Sequence, residues 1–142
     1  MPVNWIPVRS GLNPSIGGVQ VHPGVFVIRQ QYGGHVIPGK WPLCQNKGYV
    51  SYGGEEIELD DFEFLSIPDQ AYAFLPCGYG EVPPGALAAG TTDQGEPLFI
   101  ARGQINNEIC AGKVHPSERC AFFPWGGKEH RSEEYEVLCL LD

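Results

Sequence analysis

Two lysines stand in the same short context at a spacing of 73 residues: Lys40 closes Pro38-Gly39-Lys40, and Lys113 closes Ala111-Gly112-Lys113. Each reads as following a turn at a strand end, from which an ammonium can project into a cleft. The plain alternative is a solvated surface lysine. The same spacing pairs Arg29 with Arg102, both inside apolar runs, VFVIRQQ and PLFIARGQI. A semi-buried guanidinium there needs a carboxylate, and Glu56 and Glu129 are the candidates. Other chemistry is thinner. Cys110, His115, Cys120 and His130 follow one another at steps of 5, 5 and 10 residues, which match no common zinc pattern, so no metal is expected. A Cys–His pair without a strand-turn-helix elbow does not make a thiol nucleophile. Asp93 and Glu108 could form a glycosidase carboxylate pair. A neighbouring lysine would hold both ionised, however, which removes the general acid. The reading is therefore a binding protein, with no enzyme activity and no cofactor.

The elements that carry these residues come in two sets. Between residues 11–65 and 84–138, 11 of 55 positions are identical without a gap, where roughly four are expected by chance. Matches include Gly53-Gly54 with Gly126-Gly127, Glu56 with Glu129, and FEFL with YEVL. The chain thus reads as two tandem copies of one unit, 1–70 and 71–142. Each copy is a run of short strands. VFVIRQQ, HVI, GYVSY, EEIEL and FEFLS in the first answer PLFIARGQI, EIC, CAFFPW, KEHRS and YEVLCLL in the second. Period-two alternation in Glu56-Ile57-Glu58-Leu59 places one face inward and one in water. The expected fold is all-β, an antiparallel sandwich of two sheets related by a pseudo-twofold axis.

Composition agrees with many short elements. The chain's 142 residues include 19 Gly and 13 Pro, which read as turns because 42 % apolar and 11 % aromatic content can fill a core. A net charge of -8 repels phosphate backbones, so no nucleic-acid partner is expected. The acidic run from Glu55 to Glu63 reads as a solvated strand face. No window is long enough to span a bilayer, and MPVNWIPVRSG lacks the basic start and apolar stretch of a signal peptide. Five cysteines leave one unpaired in any disulfide framework. A cytoplasmic protein is expected, with export without a cleaved signal as the alternative.

The second copy, PPGALAAGTTDQGEPLFIARGQINNEICAGKVHP followed by FFPWGGKEHRSEEYEVL, resembles the DM-nine repeat family, found in tandem in invertebrate lectins and natterin-like proteins. That resemblance implies a β-sandwich tandem, commonly a homodimer, that binds mannose without calcium. Its sugar site would use an Asp, an acidic residue and the lysine of the Gly-Lys turn. In the second copy these fall on Asp93, Glu108 and Lys113, and in the first on Gln20, His35 and Lys40. A carboxylate accepting from two hydroxyls and an ammonium donating to two would fix a hexose. Because the first copy keeps the lysine but not the carboxylates, the second site should be the stronger. Trp41 follows Lys40 directly and reads equally as an apolar plate for a sugar face or as a core residue. The implied function is a mannose-type lectin of glycan pattern recognition in innate immunity. The rival is an intracellular interaction or vesicle-trafficking protein without a physiological sugar.

Overall fold

The computed structural model of the protein describes residues 3–8, 14 and 17–141. Residues 9–13, 15 and 16, part of the expected first copy, lie outside the described residues. The fold is all-β. In chain order the strands are β1 (Asn4–Pro7), β2 (Gln20–His22), β3 (Val25–Tyr32), β4 (His35–Pro42), β5 (Gly48–Tyr52), β6 (Glu55–Leu59) and β7 (Glu63–Ser66). The second half continues with β8 (Tyr72–Gly78), β9 (Ala88–Thr91), β10 (Pro97–Ile105), β11 (Glu108–His115), β12 (Cys120–Trp125), β13 (Lys128–Ser132) and β14 (Glu134–Leu140). The helical elements among the described residues are two three-residue 3₁₀ turns, and no helix is long and apolar enough to cross a membrane.

Strand pairing makes one continuous antiparallel sheet where two stacked sheets were expected. Its order is β1-β7-β3-β4-β5-β6-β13-β12-β11-β10-β14-β8. Two contacts turn the middle of that path into a closed ring of eight strands. Lys128 of β13 pairs with Glu55 of β6, and β9 pairs on one side with β10 and on the other with β4 through Val36 and Thr91. Closure leaves no open edge within the ring, while β1 and β8 end the flanking strands of the sheet.

Glycine makes the tight packing possible. A Cβ on Gly39 would collide with the carbonyl oxygen of Tyr49, one on Gly112 with that of Phe122, and one on Gly90 with that of Val36. The Gly39 and Gly112 backbones lie in the middle of β4 and β11, so Pro-Gly-Lys and Ala-Gly-Lys are strand interiors rather than the expected turns. The turns into β4 and β11 lie earlier, at Gly33-Gly34 and Asn106-Asn107, and the double glycines make those after β5 and β12, with φ of 61° and 88° at Gly53 and Gly54 and 61° and 83° at Gly126 and Gly127.

Three apolar clusters fill the molecule. One, around Val27, Leu65, Ala89, Ile100 and Leu138, draws on both halves of the chain. The second, around Phe26, Trp41, Phe62 and Phe64, belongs to the first half, and the third, around Val114, Phe123 and Val137, to the second. The shared cluster leaves neither half with a complete core of its own.

Candidate functional site

Because β4 and β11 continue through their Gly-Lys pairs, both lysines point into the structure. Lys40 is 8 % and Lys113 6 % exposed, which excludes the solvated surface reading. Each is neutralised by the glutamate at the matching position. Lys40 Nζ lies 3.6 Å from Glu56 Oε2, and Lys113 Nζ lies 3.2 Å from Glu129 Oε2. Glu56 therefore leaves the solvated acidic face on which the period-two pattern put it. It also leaves Arg29 to pair with Glu63 at 3.0 Å, as Arg102 pairs with Glu136 at 2.8 Å. The expected Arg29–Glu56 and Arg102–Glu129 partnerships are thus corrected. The arginines lie over aromatic rings near the sheet's ends, Trp5 for Arg29 and Phe74 for Arg102.

The second oxygen of each glutamate crosses to the other half. Glu56 Oε1 accepts from the Gly127 N–H at 2.9 Å, and Glu129 Oε1 accepts from the Gly54 N–H at 3.0 Å. The backbones of these residues exchange bonds as well, Glu56 N–H to Gly127 O and Glu129 N–H to Gly54 O. Each lysine also reaches across: Lys113 Nζ donates to Ser51 O at 2.9 Å, and Lys40 Nζ lies 3.9 Å from Cys110 Sγ. The two lysine clusters are consequently assembled from both halves.

The better-formed cluster surrounds Lys40, at a pocket of about 390 Å³, a volume suited to a small molecule. Its polar wall is Lys40, Glu56 and Glu108, with Tyr49 and Trp125 as aromatic neighbours. Trp125 Nε1 donates to Glu108 Oε2 at 2.5 Å, which holds that carboxylate at the mouth. Burial pushes the Cys110 thiol above its ordinary pKa, with Lys40 opposing and Glu108 and Glu56 adding to the rise. Burial likewise raises Tyr49, and Glu58 and Glu56 raise it further.

Around Lys113 the corresponding places are filled differently. Phe122 stands 5.5 Å and Tyr52 6.0 Å, ring centroid to Nζ. His35 meets the Tyr52 ring edge-on at 5.1 Å, and its Nε2 is 3.6 Å from Asp93 Oδ1. Asp93 rides on the β9–β10 hairpin, whose far end is tied down by Glu96. That carboxylate accepts from the Ser117 N–H at 2.6 Å and the Ser117 hydroxyl at 2.7 Å, with His115 Nε2 at 3.2 Å. Burial works against ionisation of Glu96, but these partners outweigh it and hold its carboxyl below the ordinary value.

The seven sequence-derived candidates thus regroup. Glu108 lines the pocket with Lys40 rather than with Lys113, and Asp93 with His35 sits on the Tyr52 side of the Lys113 cluster. Gln20 does not correspond to Asp93: it opposes Phe26 in the β2–β3 ladder, where Ala88 opposes Phe99 in the β9–β10 ladder. The β9–β10 hairpin is longer by five residues, so a gapless offset fails there. Gln20 Oε1 instead accepts from the Gly24 N–H at 2.8 Å and shapes the β2–β3 turn. Trp41 is a core residue. Its ring packs on Phe26, Phe62 and Phe64, and its Nε1 donates to Gln45 O at 3.1 Å. Neighbouring strand residues face opposite ways, so Trp41 cannot share the pocket of Lys40. The aromatic that does is Trp125, unrecognised as a site residue although its pairing with Tyr52 at the 73-residue offset marks the position. Among the described residues, no three His, Cys, Asp or Glu side chains gather closely enough to hold a metal ion.

The sequence profile of the DM9 repeat matches residues 20–132, which carry both lysine clusters. The chain belongs to the DM9 repeat family. Among curated relatives, this DM9 protein is 31 % identical to natterin-4 of Thalassophryne nattereri over 108 residues, 74 % of this chain and 24 % of that one. It is 31 % identical to natterin-3 of the same organism over 58 residues, 41 % of this chain and 15 % of that one. It therefore spans a quarter or less of the natterins it matches. Among solved structures, the nematode sperm cell motility protein MFP2B shares the fold, with a TM-score of 0.66 at 12 % identity. That match covers 99 % of this chain and 45 % of the other.

Proposed function

We propose that this DM9 protein is a carbohydrate-binding protein of the lectin type, taking a hexose of the mannose class without calcium. The observation that carries the reading is the pocket of about 390 Å³ in which a buried ammonium, a carboxylate at the mouth and an indole converge from both halves of the chain. A sugar offers adjacent hydroxyls that donate and accept together with an apolar ring face. Lys40 donates, Glu108 accepts and Trp125 supplies the apolar surface. In this reading the chain is two repeats, 1–70 and 71–142, about a pseudo-twofold axis, and the Lys113 cluster is a second site of altered chemistry. Lys40 and Lys113 are charge-neutralised by Glu56 and Glu129, and burial raises the pKa of the Cys110 thiol beside Lys40, which leaves it a poor nucleophile, so the arrangement suits recognition rather than catalysis. Affinity at such wet sites is weak for one sugar and is raised by multivalency, for which a homodimer recognising microbial or damaged-cell glycans in innate immunity is the natural setting.

Calorimetric titration with mannose, glucose and galactose, each with and without chelator, tests this. Millimolar or tighter binding that ignores the chelator and is lost in Glu108→Ala supports the site. Binding that survives both Glu108→Ala and Lys40→Met refutes it. Absence of binding to any hexose, with recovery of a specific cytosolic protein, favours the interaction or trafficking role.

A further inference from the structure

The two lysine clusters are built from corresponding strands but differ in the side chains that open them. Glu108 opens β11 and is bonded to Trp125, whereas His35 opens β4 and abuts Tyr52. In the Lys40 pocket the ammonium is already matched by Glu56 at 3.6 Å. Glu108 is then an unmatched carboxylate, since its hydrogen-bond partner is a neutral indole. A carboxylate has room for several donors, and one indole N–H leaves most of that capacity open to a ligand. The nearby cation Lys47 does not cancel the charge, because it is tied to Asp60. Among the described residues the remaining lining offers no cation: Pro23, Val25, Leu43 and Ile109 are apolar, and Gln45 is neutral. Burial is the main cause of the raised Cys110 pKa; Glu108 and Glu56 add to the rise and Lys40 opposes it.

We infer that this pocket selects hexoses bearing a protonated amino group over their neutral parents. Glu108 is the residue that sets the preference. The inference rests on the sugar-binding reading above and names the ligand class within it. The hydroxyls of such a sugar meet Lys40 while its ammonium meets Glu108, both of which line the one pocket. An acidic sugar would meet Glu108 with the wrong sign. At the Lys113 cluster the residue at the matching strand start is His35, whose Nε2 lies 3.6 Å from Asp93 Oδ1, so the carboxylate there sits beside an imidazole rather than an indole.

The test compares matched pairs by calorimetry at about pH 6, where a sugar amine is protonated. The pairs are mannosamine with mannose and glucosamine with glucose, with the N-acetylated forms as uncharged controls. An ion pair at a solvent-exposed mouth is worth about five-fold in affinity. The expected result is that an amino sugar binds about five-fold tighter than its parent, that acetylation removes the advantage, and that Glu108→Gln brings the ratio to one. Loss of the same advantage in about 0.5 M salt provides a check on the unaltered protein. Equal affinities within each pair, or a preference that persists in Glu108→Gln, would overturn the inference while leaving the lectin reading intact. No binding to any of the sugars would overturn both.

Discussion

Replacing Glu56 by Gln isolates the charge on the Lys40 ammonium from everything else at that position. The amide keeps nearly the same shape, and its oxygen can still accept from the Gly127 N–H, as Glu56 does at 2.9 Å. What disappears is the anion 3.6 Å from Nζ. At an effective dielectric of about 20 that attraction is about 4–5 kcal/mol, and the desolvation of both groups offsets part of it. Side-chain exposures of 10 % for Lys40 and 13 % for Glu56 leave little water to compensate for the loss. Glu56→Gln is therefore expected to destabilise by about 3 kcal/mol, because it strands a buried cation. Lys40→Met should cost less, since the abandoned carboxylate retains its Gly127 N–H. The double variant should be more stable than the sum of the two single losses implies, by at least about 1 kcal/mol. Urea denaturation of all four proteins, with a common m-value, measures the cycle. If Glu56→Gln costs under about 0.5 kcal/mol, or if the two losses simply add, the pair is solvated in solution and the reasoning fails.

Two further predictions concern the frame around the site. Glu96 has a folded-state pKa below its ordinary value of 4.5, so its contribution to stability is present above the unfolded pKa and disappears as pH falls through the folded one. The gap in melting temperature between the unaltered protein and Glu96→Gln should be constant at neutral pH and close below about pH 4; a gap independent of pH would contradict the clamp. Gly39→Ala and Gly112→Ala should each destabilise by about 1–3 kcal/mol, because the new methyl meets a carbonyl of the neighbouring strand. Gly95→Ala meets no atom within 4 Å and is strained only by its φ of 85°, so melts showing it to be the worst of the three would refute the close-approach argument.

The 73-residue repeat made much of the fold legible. Strand positions, the double-glycine turns and the special status of Lys40 and Lys113 could all be read, because local propensity and recurrence are properties of the chain itself. The family resemblance singled out Glu108, which the structure places in the lining of the Lys40 pocket. What the repeat could not convey is which half a residue serves. Glu108 and Trp125 come from the second half yet surround the lysine of the first. Gly39 illustrates another gap: Pro-Gly reads locally as a turn, whereas here glycine is required because a neighbouring strand passes too near for a Cβ. The gapless comparison also equated Gln20 with Asp93, and only ladder register reveals the longer second hairpin.

Sequence alone therefore determined the all-β class, the duplicated pattern and the lysines around which chemistry could be built. Tertiary structure decided that the strands form one sheet closed through β9 and the Lys128–Glu55 pairing, that Arg29 and Lys40 take different glutamates, and that Trp41 belongs to the core while Trp125 belongs to the pocket. The physical reason is that propensity and period act over a few neighbouring residues. Partner choice for a buried charge is set instead by which groups closure brings within a few ångströms, across as many as 71 and 75 residues for the two glutamates that each reach the opposite glycine turn.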